Sequence, residues 1–137
     1  MNTKENWKVL VIDDDADITA MMRLVLRSEG FEVEATTRTE DIFEKARNYK
    51  PNVILLDVFL TGYDGRDICK QFKFHPETKN IPIIMISGHE TVSDTIVDYG
   101  ANDFLLKPFK LEALLNMIKT HLVKSESPTS ASPMIEE

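Results

Sequence analysis

Three aspartates in a row, Asp13, Asp14 and Asp15, follow directly on the apolar run Val9-Leu10-Val11-Ile12. Charge at the end of a strand-like run adds nothing to a core and is useful for chemistry. Two further runs end in the same way. Val53-Ile54-Leu55-Leu56 ends in Asp57, and Phe104-Leu105-Leu106 ends in Lys107 and Pro108. If the three ends meet, Asp13, Asp14 and Asp57 share a pocket with one ammonium. Carboxylates about 5 Å apart repel by about 3 kcal/mol at an effective dielectric of about 20. Such a cluster needs a cation or raised pKa values. Mg2+ (or Mn2+) suits it, because these ions take oxygen ligands from carboxylates, water and phosphate. An aspartate beside the metal and a lysine can attack phosphorus. Phosphoryl transfer of this kind is mostly positioning and electrostatics. Lys107 supplies a compact charge for a phosphate oxygen. Ser87 closes another apolar run and offers a hydroxyl to the same group, and Gly88 after it leaves room for close approach.

These residues need a frame that gathers strand ends. Continuous Val/Ile/Leu reads as a buried parallel strand, and ligands of open α/β sheets sit at the carboxyl ends of such strands. Strand patterns fall at residues 8–13, 31–36, 53–56, 82–87 and 102–106. Helical spacing alternates with them. It covers residues 15–29, stopped by Gly30. A second helix is capped by Thr39 and faces inward with Ile42, Phe43, Ala46 and Tyr49. A third is marked by Ile68, Cys69 and Phe72, and a shorter one by residues 91–99. A long final helix carries Leu111, Leu114, Leu115, Ile118 and Leu122. Residues 58–64 read as a loop with Gly62 as a turn residue. Fivefold alternation predicts an α/β fold: a doubly wound, five-stranded parallel sheet with right-handed crossovers and helices on both faces.

Bulk properties narrow the function. The chain of 137 residues suits one domain, and its 42% hydrophobic content is ordinary for a globular core. Its net charge of -7 argues against binding nucleic acid by itself, which needs basic patches. The single cysteine, Cys69, forms no internal disulfide and reads as a buried helix residue. No signal peptide or membrane span is visible, so a cytoplasmic protein without membrane contact is the expectation. Residues 1–124 form the expected domain. Residues 125–137, rich in Ser, Pro and Glu, read as a disordered tail or linker stub.

Taken in order, Val-Ile-Asp-Asp-Asp, Leu-Leu-Asp, Asp64-Gly65, Ser87-Gly88 and Lys107-Pro108-Phe109 resemble the receiver domain of two-component response regulators, over residues 8–124. The resemblance implies a flavodoxin-like strand order, 2-1-3-4-5. It implies that Asp57 is the phosphoacceptor, and that Asp13 and Asp14 hold Mg2+ with Asp57 and the main-chain carbonyl of Phe59. Ser87 corresponds to the hydroxyl switch residue, Phe104 to the aromatic switch and Lys107 to the lysine of the site. The Lys107-Pro108 peptide is expected to be cis. The implied donor is a histidine kinase or a His-containing phosphotransfer protein. The output is expected from the face of the fourth helix, fifth strand and fifth helix, toward an effector the sequence does not name. A phosphorylation-dependent homodimer is compatible with this. One departure stands out. Four residues past the phosphoacceptor such proteins usually carry proline, whereas this chain has Thr61 followed by Gly62, which predicts a looser loop around Phe59. His89 and Val58 flank the site and are expected to tune rates.

Simpler roles account for several residues. Asp15 reads as a helix N-cap and Asp64 as a turn or helix-start residue. His75, His89 and His121 read as surface residues, and Trp7 as cover for the first strand. Two other functions compete with the leading one. A receiver-like interaction module would keep the fold without phosphorylation, but the complete acidic set argues against it. A small Mg2+-dependent phosphatase similar to the haloacid-dehalogenase group would share the nucleophile and threonine spacing of Asp57 and Thr61. It would need a second aspartate where Phe59 stands. The signalling reading treats the protein as a phosphoacceptor that catalyses its own phosphorylation and dephosphorylation, and not as an enzyme acting on other substrates.

Overall fold

The computed structural model describes residues 7–89 and 96–131. Strands β1 (Lys8–Ile12), β2 (Glu32–Thr36), β3 (Val53–Asp57), β6 (Ile83–Ser87) and β7 (Asp103–Leu106) form one sheet in the order β2-β1-β3-β6-β7. Every neighbouring pair is parallel. Two further strands, β4 (Phe59–Leu60) and β5 (Tyr63–Asp64), make a small antiparallel hairpin of their own. With β6 and β7 as fourth and fifth strands of the main sheet, the order is the expected 2-1-3-4-5.

Side chains alternate across a strand, so each central strand feeds two cores. Leu10, Ile12, Ile54, Leu56, Ile83 and Met85 pack on one face against α2 (Ile42–Tyr49) and α3 (Gly65–Phe74). Val9, Val11, Val53, Leu55, Ile84 and Ile86 pack on the other, against α1 (Ala16–Ser28) and α4 (Leu111–Ala131). Each fully buried aliphatic side chain contributes about 1.5–3 kcal/mol, so the central strands are fixed from both sides. Cys69 is buried in the first of these cores, as its helix position predicts, and Trp7 packs against the second.

Several local expectations are corrected. The second helix starts at Ile42, with Asp41 at the cap position, because a 3-10 turn, Thr39–Asp41, precedes it and takes the place assigned to a Thr39 cap. The loop after Asp57 is a hairpin, closed at Thr61-Gly62 where Gly62 takes a φ of 79°. Of the fourth expected helix, residues 91–95 lie outside the described residues, and Ile96–Tyr99 is a 3-10 turn. The last helix continues to Ala131, beyond the start assigned to the tail. His121 is not a surface residue. It is 7% exposed, and its Nε2 lies 2.8 Å from Asp103 Oδ2. A carboxylate only accepts, so Nε2 carries the donated proton. The pair ties α4 to β7, a contact between residues 18 apart that helical periodicity does not reveal.

Candidate metal and phosphoacceptor site

Strand register decides which acids meet. Ile12 pairs with Leu56, so the next residues on the two strands, Asp13 and Asp57, emerge side by side at the carboxyl edge. Asp57 in turn pairs with Ile86, and Ser87 with Leu106, which delivers Lys107 to the same edge. The Lys107 N–H donates to the Ser87 carbonyl at 2.8 Å and locks that delivery. The sheet runs outward in both directions from β1 and β3, so the acids stand at its topological switch point, where ligands of such sheets bind.

Asp13, Asp14 and Asp57 each place a carboxylate oxygen within 4.8 Å of the others. Lys107 Nζ lies 3.3 Å from Asp13 Oδ2 and 3.8 Å from Asp57 Oδ1. If all three acids are ionised, one ammonium leaves two negative charges uncompensated. Three hard oxygen donors with that residual charge fit a divalent cation such as Mg2+. Asp13 is further held by the Asp15 N–H, which donates to its Oδ1 at 2.9 Å. Asp15 itself caps α1, accepting from the N–H groups of Asp17 and Ile18. Asp64 caps α3 through the Arg66 N–H and also pairs with the Arg66 guanidinium at 2.7 Å. Both aspartates therefore have the local roles their positions predict. Gly65, the first residue of α3, lies so close to the Asp57 carbonyl that a Cβ would collide with it and reach 2.9 Å from Val58 Cα. Only glycine lets α3 start this near the end of β3.

Asp57 is 9% exposed, and its pKa is pushed up to about 6. Burial is the main cause. The Asp13 carboxylate adds to it, Lys107 and the Phe59 N–H oppose it, and Asp14 adds a smaller upward push. Asp14, by contrast, is held below the usual carboxylate range, first by hydrogen bonds from the Thr61 hydroxyl and N–H. The sign for stability follows. Between the unfolded value of 3.8 and about 6 the folded protein binds more protons at Asp57, so its stability falls as pH rises through that window. The loss is about 3 kcal/mol in full. Metal-free Asp57→Asn protein is therefore expected to melt above wild type at neutral pH, with the gap closing as pH falls toward 4. Thermal melts in chelator over that range check it. A gap that does not change with pH would contradict the assignment of Asp57 as the frustrated acid.

Around the acids stand the other residues singled out from sequence. Ser87 is buried at 1% exposure, and its Oγ accepts the His89 N–H at 3.1 Å. Phe104 is half-buried, level with Met85 in the sheet, and packs against the core that contains Met85. The Lys107-Pro108 peptide is cis, as expected. His89 is exposed and its ring stands edge-on to Phe59, with centroids 4.9 Å apart. The expectation of a loosened loop is reversed. Both the N–H and the hydroxyl of Thr61 donate to Asp14 Oδ2, so the hairpin is tied to the acidic cluster. That link joins residues 47 apart and was missed from sequence. The only sequence signal was a hydroxyl residue in a turn position, which usually means a local turn contact.

The family model described as response regulator receiver domain matches residues 9–119. The DNA-binding response regulator MtrA of Mycobacterium tuberculosis is 30% identical over 121 residues, which are 87% of this chain and 52% of MtrA. The alkaline phosphatase synthesis transcriptional regulatory protein PhoP of Bacillus subtilis is 31% identical over 131 residues, 94% of this chain and 54% of PhoP. The chain thus spans about half the length of the curated relatives it matches. Among solved structures, a CheY-like receiver domain protein from Methanospirillum hungatei superposes with a TM-score of 0.78 at 27% identity, covering 89% of this chain and 98% of that one. Chemotaxis protein CheY4 of Vibrio cholerae gives 0.76 at 29% identity, covering 83% and 97%. Among the described residues no helix is long and apolar enough to cross a membrane. With its parallel sheet, its acidic edge and a family match over most of its length, this chain belongs to the receiver domains of two-component response regulators.

Proposed function

We propose that Asp57 accepts a phosphoryl group from a phosphohistidine on a histidine kinase or His-containing phosphotransfer protein, and that the protein itself catalyses this step and the later attack of water, which returns the Asp57 carboxylate and releases inorganic phosphate. The observation that carries the reading is the convergence of Asp13, Asp14 and Asp57 with Lys107 at one strand edge. An Asp57 carboxylate oxygen forms the new P–O bond while the P–N bond of the donor breaks, its electron pair leaving on the imidazole nitrogen. Bound Mg2+ supplies charge to screen the incoming phosphoryl oxygens from the carboxylates. Asp13, Asp14, Asp57 and the Phe59 carbonyl are its proposed ligands. Lys107 turns from its carboxylate partners toward a phosphoryl oxygen. Ser87, whose Oγ already accepts from His89, has its hydroxyl proton to give to another. In this reading Phe104 turns inward as Ser87 moves. The surface of β7, α4 and residues 91–99 then shifts between two populations and changes its affinity for an effector. A homodimer formed on phosphorylation belongs to the same reading, as does action in the cytoplasm.

The phosphatase alternative is not favoured, since the position that should hold its second acid is Phe59, whose ring meets His89 edge to face. The test is incubation with acetyl phosphate and Mg2+ followed by intact-mass measurement. The expected result is one phosphoryl group gained with Mg2+ and none with chelator. Unchanged mass in both would refute phosphoacceptor function. The same Mg2+ should raise the melting temperature in the absence of any phosphodonor, because it binds only the folded cluster.

A further inference from the structure

We propose that Thr61 is a positioning residue for the metal site, holding the Asp14 carboxylate by two donors beside Asp13 and Asp57 so that it is oriented for the divalent ion. This rests on the phosphoacceptor reading above and extends it to a residue that does not itself touch metal or phosphate.

The three acids are restrained unequally. Asp57 is built into β3, and Asp13 is held by the Asp15 N–H and by Lys107. Asp14 lies between the end of β1 and the cap of α1, on a side of the loop more open to solvent than Asp13. Its side chain accepts from the N–H and the hydroxyl of Thr61. Both donate to Oδ2, so the hairpin tip grips the carboxylate through one oxygen.

Thr61 can do this because of where the hairpin puts it. Phe59 pairs with Asp64 and Leu60 with Tyr63, so Thr61 and Gly62 form the turn. The positive φ of Gly62 lets the chain reverse there. A residue at the tip of a two-residue turn has a free N–H and a side chain that points away from the hairpin. Here both are aimed at the acid loop. The same short hairpin begins at Phe59, whose carbonyl is a proposed ligand. One contact therefore sets the distance between two ligand-bearing segments. Partners that orient metal-ligating carboxylates in this way typically change metal affinity by about 10–100-fold when removed.

Thr61 is exposed, so changing it leaves the core intact. The experiment is a calorimetric titration of Mg2+ alone into wild-type, Thr61→Val and Thr61→Ser proteins, with melting temperatures measured in chelator. Thr61→Val keeps shape and N–H and loses the hydroxyl. It is expected to bind Mg2+ about tenfold more weakly with an unchanged melting temperature in chelator, and Thr61→Ser to restore binding. Wild-type affinity in Thr61→Val, or failure of Thr61→Ser to restore a lost affinity, would overturn the positioning role while leaving the site reading intact. A wild-type protein that takes up no Mg2+ would overturn both.

Discussion

Asp57→Asn protein will gain no phosphoryl group from acetyl phosphate and Mg2+ under conditions where wild type gains one. The amide lacks the nucleophilic oxygen pair, and the neighbouring acids cannot replace it. Asp13 is engaged by the Asp15 N–H on one oxygen and by Lys107 on the other. Asp14 is engaged by both donors of Thr61. Asp57 is the acid least compensated by its surroundings: its pKa sits at about 6 because burial and Asp13 outweigh Lys107 and the Phe59 N–H. At neutral pH it is still mostly ionised, and its weaker compensation leaves lone pairs available for attack. Loss of a nucleophile from a group of residues that act together typically costs about a thousandfold or more. Intact-mass measurement over time reads this directly. An adduct of undiminished size on the variant would move the nucleophile to another residue and end the reading.

Lys107→Met is expected to slow phosphorylation by about 10²–10³-fold, the usual cost of removing one preorganised charge that meets developing negative charge. Two effects combine. The phosphoryl oxygens lose an ammonium that now stands 3.3 Å from Asp13 and 3.8 Å from Asp57. Asp57 also loses the neighbour that lowers its pKa, so the value climbs further above about 6 and less carboxylate is present at neutral pH. The second effect has a signature of its own. The rate of the variant should recover partly as pH is raised, whereas wild type changes little above neutrality. Lys107→Arg keeps the charge but replaces a compact ammonium by a broad planar fork, so it should restore only part of the rate. A methionine variant as fast as wild type would show that Lys107 only balances the resting acids. Rapid-quench measurement of phosphoryl incorporation across pH separates these outcomes.

Strands β1, β3 and β6 could be read from sequence because their residues are apolar without interruption, and only burial on both faces rewards that pattern. Their polar ends were legible for the same reason: Asp13, Asp57 and Ser87 each break a run that would otherwise continue. Asp15 and Asp64 were readable as caps, since a cap is a contact with residues two or three places on. The misreadings share the opposite property. His121 looked like a polar residue on a helix flank, yet it meets Asp103 on β7 and is buried. Thr61 looked like a weakened turn, yet it closes onto Asp14.

The amino-acid sequence alone determined which residues could do chemistry and that they lie at strand ends, because chain order and side-chain period are local properties. It also determined the alternation that makes a parallel sheet with two cores. The family resemblance implied the pairing of β1 with β3; tertiary structure decided the register that sets Asp13 beside Asp57 and the path that brings Lys107 within reach of both. It decided too that a hairpin tip restrains Asp14. Contacts between residues far apart in the chain depend on register and on the path of each connection, and those are selected by the packing of the whole sheet at once.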